Sequence, residues 1–208
     1  DCTMPLQPKP YLSPADYLAI ERSAEFKSEY FNGEIFAMSG ASEPHNVIVL
    51  NTGAEIRQHL KKRPCKVYAN DMRVKVSPTG LYTYPDVVVV CGQAQFDDVH
   101  LDTLLNPTIL IEVLSDSTEA YDRGRKFEHY RSLESLAEYV LIAQNRPQVE
   151  AYRRQPSQQW LLTESRGLEG VLRLHSIECD LALAEIYDKV ELLELDHESR
   201  TLPSTLTE

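Results

Sequence analysis

No apolar run in this chain approaches the roughly 20 residues needed to cross a bilayer, so no membrane-spanning helix is expected. Cysteine is scarce. The four residues, Cys2, Cys65, Cys91 and Cys179, are scattered and form no Cys-x-x-Cys pair. That pattern excludes a zinc ribbon and favours a reduced, cytoplasmic compartment over a disulfide framework. Cys91, at the end of an apolar strand, reads as a small buried hydrophobe. The start, Asp1-Cys2-Thr3-Met4-Pro5, has neither a basic patch nor an apolar stretch, so no signal peptide is expected. Positive charge is also in deficit: 21 Lys and Arg stand against 32 Asp and Glu, a net of -11. Such a balance argues against a surface that grips nucleic acid indiscriminately through phosphates. The deficit is uneven, however. Residues 178–208 carry a local net of -7, and basic clusters survive at Arg57, Lys61, Lys62 and Arg63 and at Arg123, Arg125 and Lys126.

What is present is the composition of one globular domain: 208 residues, 42% hydrophobic and 25% charged. We read an N-terminal arm at 1–12, a single domain at 13–190 and an acidic tail at 191–208, whose end should fray. Ser13-Pro14 predicts a helix start running to about Ala24. Asn32-Gly33 predicts a hairpin over 28–38, and an apolar stripe from Pro44 to Lys62 predicts a second helix. Strands are expected near 65–70, 72–76, 84–91, 108–114, 138–143, 148–154 and 159–164. A helix capped by Ser117 or Thr118 should reach Leu133, and a short one should span Leu181 to Tyr187. The fold class is therefore α/β (α+β): a mixed central sheet flanked by helices, with an added N-terminal hairpin and a C-terminal strand meander.

Two strands carry an unusual residue. Tyr84-Pro85-Asp86 precedes four valines, and Glu112 interrupts Ile109-Leu110-Ile111 and Val113-Leu114. A carboxylate in such a run is costly to bury unless a cation pairs with it. Neighbouring strands aiming Asp86 and Glu112 at one bivalent ion, magnesium or alternatively manganese, would explain both, with the Val113 carbonyl as a third oxygen. Lys126 on the next helix, sharing a face with Arg123 and Tyr130, would orient water or phosphate. Plainer readings compete: Asp86 as a strand cap, Glu112 in a buried Glu–Lys pair, and Lys126 in an exposed stripe with Glu119 and Asp122. Glu29 and His45 are accessory candidates. Glu34 is a weaker one, and Asp71 has no evident role. Trp160, Tyr139 and Tyr152 read as core.

Taken in order, Glu29 through Gly33-Glu34, His45, Pro85-Asp86-Val87-Val88-Val89, Glu112-Val113-Leu114-Ser115, Lys126, Tyr130 and Glu138-Tyr139 resemble the Uma-type restriction endonuclease family of the PD-(D/E)XK nuclease superfamily, over roughly residues 11 to 190. The resemblance implies a restriction-endonuclease-like core and magnesium-dependent cleavage of DNA, with Asp86, Glu112 and Lys126 as the catalytic set and Tyr130 as an accessory. It also implies a homodimer. The superfamily's lysine lies two residues after the glutamate, and that position here is Leu114. Lys126 looks like its substitute. A binding module without turnover, or a metal-dependent hydrolase of another phosphoester, are the alternatives.

Overall fold

The computed structural model describes residues 11–192. The expected arm and acidic tail fall almost wholly outside them. Helix α1 (Pro14–Glu21) begins where predicted, with the Ser13 hydroxyl accepting the Asp16 amide at 3.2 Å. It stops short of Ala24, where the chain tightens into i, i+3 bonds from the Ser23 and Ala24 amides to the Ile20 and Glu21 carbonyls. The hairpin of β1 (Ser28–Phe31) and β2 (Glu34–Ala37) turns on Asn32 and Gly33, both at positive φ (48° and 84°), as a two-residue primed turn requires. Helix α2 (Glu43–His59) is capped by Ser42 and buries Ile48, Val49, Thr52 and Ile56 along one stripe.

A six-stranded mixed sheet forms the centre, in the order β11 (Trp160–Arg166), β10 (Gln148–Arg154), β9 (Glu138–Ala143), β8 (Ile109–Leu114), β6 (Val87–Cys91), β3 (Cys65–Ala69). Only β8 and β9 run parallel. Both faces are covered, which is why the central strands do not alternate in polarity. Val87, Val89, Ile109, Ile111 and Val113 face α2 and a C-terminal hairpin, β12 (Val171–Leu174) and β13 (Cys179–Ala182). Val88, Val90, Leu110, Leu114 and Leu141 face the opposite way. That hairpin was not predicted, and the closing helix is shorter than expected: Leu181 lies in β13, and α5 spans Leu183–Ile186.

A second sheet has the order β2, β1, β5 (Leu81–Thr83), β4 (Arg73–Val76), β7 (Thr103–Leu104). Here the expected strand over 84–91 is corrected. The chain leaves the second sheet after Thr83 and joins the central one at Val87, with Tyr84-Pro85-Asp86 as the crossing. Pro85 has no amide to donate and holds Tyr84 extended, so neither ladder continues through it. The expected continuous helix over 118–133 is also corrected. It consists of α3 (Glu119–Tyr121), a π-turn over Asp122–Lys126 and α4 (Phe127–Tyr130).

The reading of the cysteines was wrong for two of them. Cys65 and Cys91 form a disulfide, because antiparallel pairing of β3 and β6 sets them directly opposite each other with Cα atoms 4.0 Å apart. Their separation of 26 positions conceals that juxtaposition in the sequence. The argument from cysteine usage for a reduced compartment therefore loses its basis. Cys179 is free and buried. Among the described residues no helix is long and apolar enough to cross a membrane.

Candidate active site

The pairing of β6 with β8 aligns Val87 with Ile111. One step further along the same register, Asp86 stands opposite Glu112, and cross-strand partners project on the same face of a sheet. Asp86 is fixed there by accepting the Val113 amide at Oδ2, 2.7 Å away. The same oxygen lies 3.2 Å from Nε2 of His45, which the first turn of α2 carries over the sheet. Burial opposes a charged imidazole. Asp86, helped by the Val113 backbone and Asp122, outweighs it and raises the His45 pKa.

Glu112 is 3% exposed. Its Oε1 accepts two hydrogen bonds, from the Tyr130 hydroxyl at 2.8 Å and the Lys126 ammonium at 2.9 Å. Its Oε2 takes none among the described residues. Lys126, 5% exposed, also stands 3.3 Å from Asp122 Oδ1 and 3.5 Å from Glu29 Oε1. Glu29 is held by the hydroxyls of Thr83 and, at 3.2 Å, Tyr121. One ammonium thus serves three carboxylates, with Asp86 adjacent. Burial pushes Glu112 up to about 8; Lys126 opposes the shift, while Asp122 and Asp86 add to it. Burial likewise raises Asp122. Burial alone would lower Lys126, but Glu112, Glu29 and Asp122 hold it well above the ordinary lysine value. Four carboxyl groups crowd one ammonium here, and a dication would relieve the repulsion that these raised values otherwise relieve by protonation.

The structure therefore brings Asp86, Glu112, Lys126, Glu29 and His45 together around a cleft of about 1170 Å³, with Tyr130 buried behind Glu112. It parts from the sequence reading on the helix face. Arg123 turns away to Glu119 and Glu150, at 2.7 and 2.5 Å, and Asp122 turns inward in its place. Asp122 enters the sequence reading only within the competing exposed stripe, and its i, i+4 spacing from Lys126 is the signal that points to it. Thr83 and Tyr121 were missed altogether. Glu34 is exposed on β2, and Asp71 pairs with Lys27 at the rim, 3.1 Å away. Glu138 is structural: buried at the start of β9, it accepts the amides of His175 and Ser176 and the Ser176 hydroxyl. Tyr139 is core, as expected, and Tyr152 and Trp160 pack half-buried against Phe127. Among the described residues no three His, Cys, Asp or Glu side chains stand in a ready-made metal cage. What the cleft offers is a paired-carboxylate set, the donor type that suits an ion retaining several waters.

Comparison with known proteins decides the family. Residues 14–184 match the Uma2 model, described as "Putative restriction endonuclease". The chain belongs to the Uma2 family. Two relatives from Synechocystis sp. are both named as uncharacterized proteins. One, sll1609, is 37% identical over 156 residues, 75% of this chain and 88% of the relative. The other, slr1290, is 35% identical over 183 residues, 88% and 95% respectively. A crystal structure titled as a putative nuclease belonging to DUF820, from Anabaena variabilis, superposes with a TM-score of 0.67 at 17% identity, covering 83% of this chain and 96% of that one. The Uma2 chain thus has the mixed α+β architecture of restriction-endonuclease-like nucleases.

Proposed function

We propose that this Uma2 protein is a magnesium-dependent endonuclease that hydrolyses DNA phosphodiester bonds. The observation that carries the reading is the convergence of Lys126, Glu112, Asp122 and Glu29 beside Asp86, where carboxylates outnumber the single ammonium. Asp86 and Glu112 would hold the ion, Glu112 through the oxygen that Lys126 and Tyr130 leave free. Bound there, magnesium would neutralise charge at phosphorus and polarise a water.

The chain's own residues account for the rest. Tyr130 and Lys126 fix the rotamer of Glu112 from one side, so its second oxygen is preorganised. The Val113 amide and His45 do the same for Asp86. Lys126 stands ready to pair with a phosphate oxygen, because its charge survives burial. Glu29, held by Thr83 and Tyr121, keeps that ammonium in place. Lys126 on the helix thereby takes the part for which Leu114 has no amine.

Incubation of the pure protein with supercoiled plasmid and magnesium or manganese tests the reading. Nicking and linearisation are expected with wild type and not with Glu112→Ala. Cleavage at an undiminished rate in Glu112→Ala would remove this site from the reaction.

A further inference from the structure

One wall of the cleft is aromatic and open. Phe26 is 78% exposed and Phe36 47%, and both line the cavity with Phe31 and Met38. Phe36 on β2 pairs directly with Glu29 on β1, so the two project on the same face. Glu29 in turn lies 3.5 Å from the Lys126 ammonium. The exposed ring is therefore the cross-strand neighbour of a carboxylate in the acidic cluster. Phe31, two residues after Glu29 and on the same side, continues the wall and meets His129 edge-on at 4.7 Å.

The charges of the cleft do not suit a continuous duplex. Its carboxylates are Glu25, Glu29, Asp71, Asp86, Glu112 and Asp122, against Lys27, Arg125 and Lys126. Lys27 is committed to the Asn70 carbonyl and Asp71, and Lys126 to its three carboxylates. Among the described residues that leaves Arg125 as the lining cation not committed to a carboxylate, beside the single phosphate contact that Lys126 would make. A protein that holds duplex DNA neutralises on the order of 6–10 phosphates. Stacking on an aromatic face needs no such charge, and only an unpaired base can present its face.

We propose that Phe26 and Phe36 form a stacking wall for unpaired nucleobases, so that the substrate class of this site is single-stranded or locally unpaired nucleic acid. The inference rests on the nuclease reading and narrows it.

The test uses the full chain with calcium in place of magnesium and a Phe36→Trp variant; wild type, whose sole tryptophan is Trp160, serves as the blank. A mixed-sequence single-stranded oligodeoxynucleotide should quench the new emission. The same sequence as a blunt duplex should need about tenfold more to do so. Phe36→Ala should weaken single-strand binding about fivefold or more. Equal quenching by both forms, or by neither, would overturn the proposal. Emission that follows protein concentration alone would also overturn it, assigning the wall to a second copy of the chain. Metal-dependent cutting of duplex with no single-strand preference would sink this inference and spare the nuclease. Absence of cutting on every substrate with the quench intact would sink the nuclease and support the wall.

Discussion

Asp86 accepts the Val113 amide across the gap between two strands, so the crossing segment is tied to the residue that follows Glu112. The tie and the charge of Asp86 are separable. Asp86→Asn retains an acceptor for that amide but loses the negative charge. We expect melting within a few degrees of wild type, together with loss of magnesium binding by calorimetry and of plasmid cleavage. Unchanged magnesium affinity would exclude Asp86 as a ligand.

Lys126 is the cation shared by Glu112, Asp122 and Glu29. Lys126→Met leaves three carboxylates facing one another in a buried space. Breaking such a cluster costs roughly 3–5 kcal/mol, to be read from urea unfolding. Because a dication replaces the missing charge, added magnesium should recover more stability in the variant than in wild type. Cleavage should fall by at least about a hundredfold.

The disulfide between Cys65 and Cys91 closes a separation of 26 residues. In the chain-entropy picture a loop of that size contributes about 3.5 kcal/mol. Cys91→Ser, or reduction of wild type, should lower the urea midpoint accordingly. Alkylation under denaturing conditions without reductant should label Cys2 and Cys179 and leave Cys65 and Cys91 protected; modification of all four would show the bond to be absent.

Away from the cleft, Arg22 binds Asp102 at 2.8 Å and Asp98 at 2.7 Å, and Arg73 reaches Asp102 at 3.0 Å. Hydrogen bonding from Arg22 is the main force holding the Asp102 carboxyl well below the usual range. A depressed folded pKa adds stability above the unfolded value of about 3.9, and that stability is lost as pH falls through the folded value. The stability gap between wild type and Asp102→Asn should therefore be full at pH 7 and narrow below about pH 4. A gap that widened in acid would reverse the sign and refute the assignment.

Glu138 separates what the sequence could say from what it could not. It stands beside Tyr139 in the family-like pattern, yet it caps the turn at His175–Ile177 through three donors. Glu138→Ala should destabilise by about 1–3 kcal/mol and leave the cleavage rate per folded molecule unchanged.

Asp86 and Glu112 were legible because a charge in an apolar run demands a partner, and strand periodicity places them without further information. Lys126 was legible through its helix face and the family pattern, although nothing local revealed how far Glu112 would draw its ammonium inward. The crossing at 84–86 between the two sheets depends on Pro85, which the sequence offers as part of a motif and not as a break in hydrogen bonding. Thr83 and Tyr121 act through contacts made by separate elements, and no spacing rule brings those together. The Cys65–Cys91 pairing is a matter of register between β3 and β6, again invisible until the strands are aligned.

The π-turn over Asp122–Lys126 has a consequence for how this domain can change. Such a turn is an α-helix carrying one surplus residue. Excising Gly124 would restore ordinary winding and, because the bulge already absorbs the surplus residue, leave the flanking turns close to where they stand. Asp122 would then lie three positions from the lysine instead of four, which resets its approach to the ammonium, while Tyr130 kept its hold on Glu112. The chemistry is written partly in residue number, so an alignment gap in this stretch carries as much meaning as a substituted side chain.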